Sequence, residues 1–412
     1  MEGPVHLALN YGKKEIYSNV PANSQIVQPS EIPGQYEEAE IKRALINPIG
    51  SKKLSELVHP HEKTVVIVSD ITRPTPSSKL LPPLLEELDV GGVSSEDVLI
   101  VFATGLHRKI SEEEKRLLIG DIYYQVKCIN HDVDDCVYIG TTKSGTRVSI
   151  LRSVVDAEVV VCVGTIDLHY FAGYSGGAKS ILPGVSSRDT IRMNHKLMLL
   201  PNVASGCVAG PVRRDMEDAG AILGIDFILN VVLNAEREIV RAVAGHPIHA
   251  HRVGINHVNE LYKIPIKERA DIVITSAGGA PKDINMYQAY KALDNAKHAV
   301  VEGGSIILVA ECPEGLGNDV FESWINEAKS TRDVISRLEG NFELGGHMAA
   351  AIARIAEKHD IYLVSEMPDK LAKKAFFIPV RDVGLALEEA MKKQADSKII
   401  VMPYGNSTLP FN

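Results

Sequence analysis

The amino-acid sequence predicts an α/β fold with two domains, in which largely parallel sheets are flanked by helices. Short runs rich in β-branched residues recur and end at turn or polar residues, and helix-like stretches lie between several of them. Continuous apolar strands that alternate with helices are typical of sheets buried on both faces. The strand candidates of the first half are TVVIVS from Thr64, DVLIVFATG from Asp97, AEVVVCVGT from Ala157 and DFILNVVL from Asp226.

Composition and charge exclude several classes of protein. The chain has 412 residues, a length that fits two or three domains at roughly 150 residues each. Its 44 Lys and Arg against 53 Asp and Glu give a net charge of −9, which argues against a basic nucleic-acid-binding face. No apolar run approaches the roughly 18 residues that cross a bilayer, and the first residues lack the pattern of a signal peptide. We therefore expect a cytoplasmic protein.

The cysteine pattern predicts reduced, mostly buried thiols. The number of cysteines is odd, none forms a Cys-x-x-Cys pair, and most lie in or beside apolar stretches. They are Cys128, Cys136, Cys162, Cys207 and Cys312.

Helices are predicted after the first two strands. SSKLLPPLLEEL has an apolar stripe, although Pro82-Pro83 makes the middle of this helix doubtful. SEEEKRLLIG begins with a capping box, since Ser111 is followed three residues later by Glu114.

The second half repeats the alternation after the polar break LYKIPIKERA. A strand from Asp271, a helix from about Ile284 to Val300 and the strand GGSIILVAECPEG predict a new domain. Three helix candidates, the strand DIYLVSE, a helix near residues 381–394 and the strand SKIIVMP follow. The predicted domains are residues 1–267 and 268–397, with 398–412 forming a strand and tail that could return to the first domain.

Polar residues follow the first two strands, where open α/β sheets place ligands. Asp70, Thr72 and Arg73 lie on a turn stiffened by prolines and could hold a sugar hydroxyl and an anion, and an Asp–Arg ion pair with a helix cap is the structural alternative. His107 follows the second strand on a loop with Gly105, a suitable place for acid–base chemistry.

The third strand leads to the segment that contains the most candidate functional residues. His169, Lys179 and the run Ser175-Gly176-Gly177 lie close together in sequence, and consecutive amides of that run could approach a phosphate. The spacing nearly matches a phosphate-binding P-loop, but about eight residues separate the strand from the motif and Pro183-Gly184 would break the required helix. We therefore do not predict a P-loop NTPase.

Three further groups of residues are candidates for a functional site. His195 lies at the end of a predicted helix, and Gln288 and Lys291 are three residues apart, so they share a helix face that could bind a carboxylate and a hydroxyl. The spacing of the last group, His246, His249, His251 and His257, matches no common zinc motif and favours surface histidines.

Taken together, DITRPTP, ATGLH, DLHYFAGYSGGAKSILPG, NHKLM and GGAPKDINMYQAYKALDNA resemble the nickel-dependent lactate racemase family. The resemblance implies a nickel-pincer nucleotide, a pyridinium mononucleotide with two sulfur-bearing arms, attached covalently to Lys179. It implies His195 as the protein ligand to nickel and His107 and His169 as the acid–base pair. The residues implied to hold the nucleotide are Asp70, Thr72, Ser175, Gly176 and Gly177, and those implied to bind the substrate are Arg73, Tyr287, Gln288 and Lys291.

The implied activity is racemisation or epimerisation of a 2-hydroxy acid, lactate or a related 2-hydroxycarboxylate. Removing the proton at carbon 2 is difficult beside a carboxylate, so hydride transfer to a bound acceptor is a reasonable route. Two histidines with pKa values near neutral suit proton transfer on opposite sides of the substrate. The implied partners are proteins that synthesise the cofactor and insert nickel. A nucleotide-binding module of the same fold without turnover is the alternative from a different class.

Overall fold

The computed structural model describes residues 3–393 and 396–412. Its contacts divide the chain into two compact units. The central unit is Glu31–Leu261, and the terminal unit combines the chain up to Ser30 with Tyr262–Asn412. The mixed α/β architecture predicted from the sequence is confirmed.

The first strands along the chain belong to the terminal unit, and the central unit follows them. The strands of the first 30 residues are β1 (Val5–Tyr11), β2 (Lys14–Val20) and β3 (Gln25–Ile26). The central helices are α1 (Glu37–Ile46), α2 (Leu54–Leu57), α3 (Ser77–Val90), α4 (Glu112–Ile119), α5 (Arg152–Val155), α6 (Arg188–Lys196), α7 (Pro211–Leu223) and α8 (His249–Tyr262). The central strands are β4 (Thr64–Ser69), β5 (Val98–Ala103), β6 (Lys127–Asn130), β7 (Cys136–Thr141), β8 (Arg147–Leu151), β9 (Val159–Thr165), β10 (Leu168–His169), β11 (Gly173–Tyr174), β12 (Phe227–Leu233) and β13 (Ile239–Gly245).

The main sheet of the central unit has the strand order β13-β12-β9-β4-β5-β6. Its strands are parallel except for β13, which pairs antiparallel with β12. The four strands predicted in this half are present, and their apolar side chains form a core with helix α3. Because β4, β5 and β9 run in the same direction, the loops that follow them emerge at one edge of the sheet.

Helix α3 is continuous through Pro82 and Pro83, where the sequence made it doubtful. The prolines remove two backbone donors, but Leu80, Leu81 and Leu84 are completely buried against the sheet and hold the helix in place. Helix α4 begins with the predicted capping box, because Ser111 and Glu114 bond each other's backbone amides.

The terminal unit is built on a second sheet with the order β18-β17-β16-β15-β19-β3, whose strand pairs are all parallel. The hairpin β1–β2 buries Leu9 and Val20 in the core of this unit. The remaining strands are β14 (Lys263–Pro265), β15 (Ala270–Ser276), β16 (Val300–Val309), β17 (Asp360–Val364), β18 (Ile378–Val380), β19 (Ile399–Met402) and β20 (Leu409–Phe411). The helices are α9 (Met286–Ala296), α10 (Asp319–Glu327), α11 (Thr331–Gly340), α12 (Gly346–Ala356), α13 (Asp369–Lys374) and α14 (Val383–Met391).

This division differs from the predicted domain boundaries in two respects. The first 30 residues join the terminal unit, because β3 pairs with β19 and the β1–β2 hairpin covers the core of that unit. Residues 398–412 also remain in the terminal unit, since β19 pairs with β15 and β20 pairs with β14. Pairings between distant segments decide both points, and no local pattern reports them.

Two predicted helices are shorter in the structure. Helix α9 begins at Met286 with Asn285 as its cap, and ends four residues before the predicted Val300, which begins β16. Helix α14 covers Val383–Met391, and Gln394, the predicted end, lies outside the described residues.

The prediction of mostly buried thiols is wrong for three of the five cysteines. All five cysteines are free thiols, of which Cys162 and Cys312 are buried and the others are half-buried. Burial raises the pKa of both Cys162 and Cys312 to about 12, so these thiols are protonated and unreactive. No helix in the described part of the chain is sufficiently long and apolar to cross a membrane.

Candidate active site

The loops after β4 and β5 bring Asp70 and His107 together. Nδ1 of His107 lies 2.7 Å from Oδ2 of Asp70. The side chain of Asp70 is 4% exposed and that of His107 is 54% exposed, so the carboxylate lies beneath the imidazole. This arrangement holds Nδ1 of His107 and leaves the rest of its imidazole facing solvent at the sheet edge. Carboxylate–histidine pairs with this arrangement also occur in general acid–base sites.

The second oxygen of Asp70 is occupied by its own loop. Oδ1 accepts hydrogen bonds from the backbone amide of Thr72 at 3.0 Å and from its hydroxyl at 2.6 Å. Burial raises the pKa of Asp70, but the bond and charge of His107, the Thr72 hydroxyl and the charge of Arg73 outweigh it, and the pKa lies below the usual value. Asp70 is therefore ionised at neutral pH. Its contacts are with His107 and Thr72 rather than arranged for the predicted sugar hydroxyl.

The ring of Phe171 connects His169 with His195. His169 lies on strand β10, and its ring centroid is 4.5 Å from that of Phe171. On its other side Phe171 lies 4.8 Å from the ring of His195. The backbone amide of Ala172 donates to Nδ1 of His169 at 3.4 Å, which orients this imidazole. The structure thus places the second predicted acid–base residue and the predicted nickel ligand in one aromatic cluster.

The amides of Ser175-Gly176-Gly177 are less available than the sequence suggests. The amide of Ser175 donates to the carbonyl of Asp167 at 2.8 Å, and that of Gly177 donates to Oδ1 of Asn230 at 2.8 Å. Of the three, the Gly176 amide is the one to which no described acceptor is assigned. An anion at this loop would therefore have one backbone donor from this run instead of three.

Glycine at position 176 is required by the protein itself. Its φ is +74°, and a Cβ there would lie 2.8 Å from both Asn230 Oδ1 and Ile166 Cγ1. Both atoms belong to well-buried residues that cannot easily move. Packing within the central unit therefore explains this glycine. From the sequence alone, that explanation could not be distinguished from close approach of a phosphate.

Lys179 lies on a short 3-10 turn, Gly177–Ser180, and is half-buried. A P-loop would continue into an α-helix at this lysine. The chain instead passes through this turn to Pro183, and the next α-helix is α6, which begins at Arg188. The structure therefore agrees with excluding a P-loop.

Helix α6 carries His195 in its last turn. Ser187 caps the helix by accepting from the amide of Thr190, and His195 is 7% exposed. The preceding Asn194 is completely buried and donates to Asp215 on α7 at 2.9 Å. Asp215 also accepts from the hydroxyl of Thr146 at 2.8 Å. This buried network fixes the position of α6 and hence of His195.

The predicted substrate-binding residues lie in both units. Arg73 is half-buried on the loop after β4 in the central unit, and the described ion pairs place His107 rather than Arg73 on Asp70. In the terminal unit, Tyr287, Gln288 and Lys291 lie on the first turns of α9. Nζ of Lys291 is 3.4 Å from Oε1 of Gln288, so these two side chains share a helix face as predicted.

The four histidines from His246 to His257 do not converge. The rings of His246 and His249 stack 4.4 Å apart, and His257 pairs with Glu260 on the surface of α8. His251 is buried and points inward to the carbonyl of Ser175. Among the described residues no group of three His, Cys, Asp or Glu side chains could hold a metal ion.

The sequence did not predict four buried residues that form hydrogen bonds to the candidate site segments. Arg213, Asn230, His251 and Asp215 are buried, and each bonds a candidate site segment or a residue next to it. A signal was present for Arg213, since it lies in phase with Met216 and Gly220 on the buried stripe of α7. A charged residue at an apolar helical position indicates a specific buried partner.

Family models match most of the chain. The lactate racemase N-terminal domain matches residues 11–206, and the lactate racemase C-terminal domain matches residues 266–409. The chain belongs to the lactate racemase family. Its members are isomerases, and the chain is accordingly a racemase-type enzyme.

Individual relatives cover nearly the whole chain. A lactate racemase of Thermoanaerobacterium thermosaccharolyticum is 37% identical over 98% of this chain and 99% of its own length. A lactate racemase of Lactiplantibacillus plantarum is 32% identical over 97% of this chain and 98% of its own length. The solved structure of the T. thermosaccharolyticum lactate racemase apoprotein superposes with a TM-score of 0.93 at 35% identity, covering 99% of this chain and all of that one. This family member therefore shares the fold of that racemase over its full length.

Proposed function

We propose that this family member racemises or epimerises a 2-hydroxy acid, lactate or a related 2-hydroxycarboxylate, with His107 and His169 as the acid–base pair. The observation that carries the proposal is the His107–Asp70 pair at the sheet edge that also carries the His169–Phe171–His195 cluster. Two imidazoles, each held by a different hydrogen-bond partner, suit a reaction in which a hydroxyl proton leaves on one face and returns on the other.

We propose a nickel-pincer nucleotide as the cofactor, and the residues present fit it. His195 offers a buried imidazole, a ligand that suits nickel. Since no described group of three side chains could hold a metal, a nickel ion here would take its other ligands from the nucleotide. The half-buried amine of Lys179 would form the covalent link, and the Gly176 amide and Thr72 would contact the nucleotide. When bound, this group supplies the hydride acceptor.

The two histidines differ in the partner of Nδ1, and this difference supports different resting roles for them. A carboxylate faces Nδ1 of His107, which favours a proton on that nitrogen and leaves Nε2 able to accept the substrate hydroxyl proton. An amide N–H faces Nδ1 of His169, which favours a proton on Nε2. In the resting state His107 is thus set as the base and His169 as the acid. Asp70 stabilises the imidazolium that forms on His107.

We propose that cationic and amide side chains bind the carboxylate end that all 2-hydroxy acids share. Arg73 can form a bidentate pair with a carboxylate, and Gln288 and Lys291 add an amide and an ammonium group from one helix face. Tyr287 precedes them on the same helix. Either set of donors would hold the carboxylate of the planar 2-oxo acid formed midway through the reaction while this acid presents its other face.

The first experiment measures intact mass and nickel content of the chain produced together with the proteins that synthesise the cofactor and insert nickel. We expect a mass adduct and about one nickel per chain, both lost in Lys179→Ala. An adduct that persists in Lys179→Ala would refute the tether. Absence of adduct and nickel, in a host proven to load another family member, would refute the covalent cofactor.

The second experiment tests turnover on the loaded protein with a panel of chiral 2-hydroxy acids followed by chiral chromatography. We expect interconversion of enantiomers or epimers of at least one acid. His107→Ala and His169→Ala should each lose about 10²–10⁴-fold in rate while keeping the adduct. Normal activity in either variant would refute the acid–base assignment, and binding without any turnover would favour a nucleotide-binding module.

A further inference from the structure

A buried arginine lies directly behind the segment that carries Lys179. Arg213, on α7, is 1% exposed, and its guanidinium donates to the carbonyls of Ala172 at 3.3 Å, of Gly176 at 3.2 Å and of Tyr174. Among the described ion pairs none includes Arg213. The hydrogen bonds of this buried charge therefore go to backbone carbonyls of a single loop, and the nearby charge of Glu217 also favours its ionised form. Burying a charge in this way costs stability, which packing alone does not explain.

A second buried side chain completes the contact with this loop. Nε2 of His251, on α8, lies 2.7 Å from the carbonyl of Ser175. Burial and the neighbouring charges of Arg213 and Arg252 lower the pKa of His251 well below the usual value, so the ring is neutral and donates its one proton through Nε2. Arg213 and His251 together thus bond the carbonyls of Ala172, Tyr174, Ser175 and Gly176, which we call the carbonyl set.

The direction of each carbonyl in the carbonyl set determines the direction of the backbone amide that follows it. In a trans peptide the C=O and the following N–H point in opposite directions. When the carbonyl of Ser175 faces His251, the amide of Gly176 is directed away from His251. This is the same amide to which no described acceptor is assigned, and it lies three residues before Lys179.

We propose that Arg213 is a positioning residue that, together with His251, fixes the loop from Ala172 to Gly177 so that the Gly176 amide and Lys179 are presented to the nucleotide. This inference rests on the proposed function and goes further. It makes attachment of the cofactor to Lys179 depend on Arg213, a residue that touches neither nucleotide nor substrate. Arginine suits the role because its planar fork offers five donors in fixed directions, whereas lysine offers a point charge with three.

The test compares Arg213→Met, Arg213→Lys and the control Arg214→Met. Arg214 is the neighbouring residue on the same helix and is exposed, so its variant tests the effect of removing a positive charge without touching the carbonyl set. The first readout is hydrogen exchange in the unloaded chain. We expect amides of residues 172–177 to exchange at least tenfold faster in Arg213→Met, less so in Arg213→Lys, while amides of β4 and β9 keep their protection.

The second readout is the fraction of folded chain that gains the mass adduct at Lys179. We expect this fraction to fall at least tenfold in Arg213→Met, to recover partly in Arg213→Lys and to be unchanged in Arg214→Met. Unchanged loop exchange and unchanged loading in a folded Arg213→Met would overturn the inference. If Arg213→Met does not fold, His251→Ala provides the same comparison against His257→Ala, which alters a half-buried histidine that pairs with Glu260.

The two readouts separate this inference from the proposed function. Hydrogen exchange uses the unloaded chain and does not depend on the identity of the cofactor. Wild-type chain that never gains an adduct would refute the proposed tether and leave the loop measurement valid. Wild-type chain that loads normally, with Arg213→Met loading equally well, would refute the positioning role alone.

Discussion

Nδ1 of His107 and Oδ2 of Asp70 lie 2.7 Å apart, and the two residues differ greatly in exposure. The carboxylate is buried at the end of β4, and the imidazole extends from the loop after β5 towards solvent. Because β4 and β5 are neighbouring parallel strands, their carboxyl ends deliver these two residues to the same point although 37 positions separate them in the sequence. The pair couples the ionisation of a buried carboxylate to the orientation of an accessible imidazole.

Asp70→Asn is expected to lower kcat of the loaded enzyme by about 10²-fold, within the range that general acid–base catalysis contributes. An asparagine keeps the shape but neither favours the proton on Nδ1 nor stabilises the imidazolium on His107. Steady-state kinetics in both directions of racemisation would measure the effect. Asp132→Asn, which removes an exposed partner of Lys109, is the control and should leave kcat unchanged.

The stability of the wild-type chain should decrease more steeply with falling pH than that of Asp70→Asn. The folded pKa of Asp70 is lowered, so its contribution is present above the unfolded aspartate pKa of about 3.9 and is lost as pH falls through the folded pKa. Urea unfolding at pH values from 7 down to 3 would measure this. Parallel curves for the two proteins across the acid range would contradict the assignment.

Gly176→Ala should destabilise the chain by more than Gly145→Ala. Both glycines have positive φ, +74° and +86°, so each alanine incurs a backbone cost of about 1–2 kcal/mol. At Gly145 a Cβ would meet no atom within 4 Å, whereas at Gly176 it would meet Asn230 and Ile166. Thermal unfolding would measure the difference. Loading of Lys179 should fall only in Gly176→Ala, and equal behaviour of the two variants would contradict the close packing.

Asp215→Ala should reduce the free energy of unfolding by about 3 kcal/mol or more, because it leaves several buried donors without an acceptor. These donors are the hydroxyls of Thr142 and Thr146 and the amide of Asn194. Since Asn194 precedes His195 on α6, nickel content should fall as well. Asp218→Ala, which removes an ion pair with the exposed Lys143 and a 3.3 Å bond from the Lys143 amide, should cost less than about 1 kcal/mol. Urea unfolding and metal analysis of both variants would measure these effects.

Local patterns in the sequence were sufficient to predict the fold class and the main strands. Apolar β-branched runs such as those of β4 and β9 are buried on both faces, and a run of that kind has few alternatives to a central parallel strand. Polar residues just after β4, β5 and β9, namely Asp70, His107 and His169, can be identified because strand ends are predicted from local pattern. The capping box at Ser111 was predicted for the same reason, since it depends on residues three positions apart.

The contacts of these residues depend on tertiary packing. It paired Asp70 with His107, assigned the Ser175 and Gly177 amides to Asp167 and Asn230, and placed His169 and His195 on either side of Phe171. It also joined the first 30 residues to the terminal unit through β3 and β19. A hydrogen bond of about 3 Å between distant segments is fixed by how whole elements pack, and the local periodicity of a sequence holds no record of that distance.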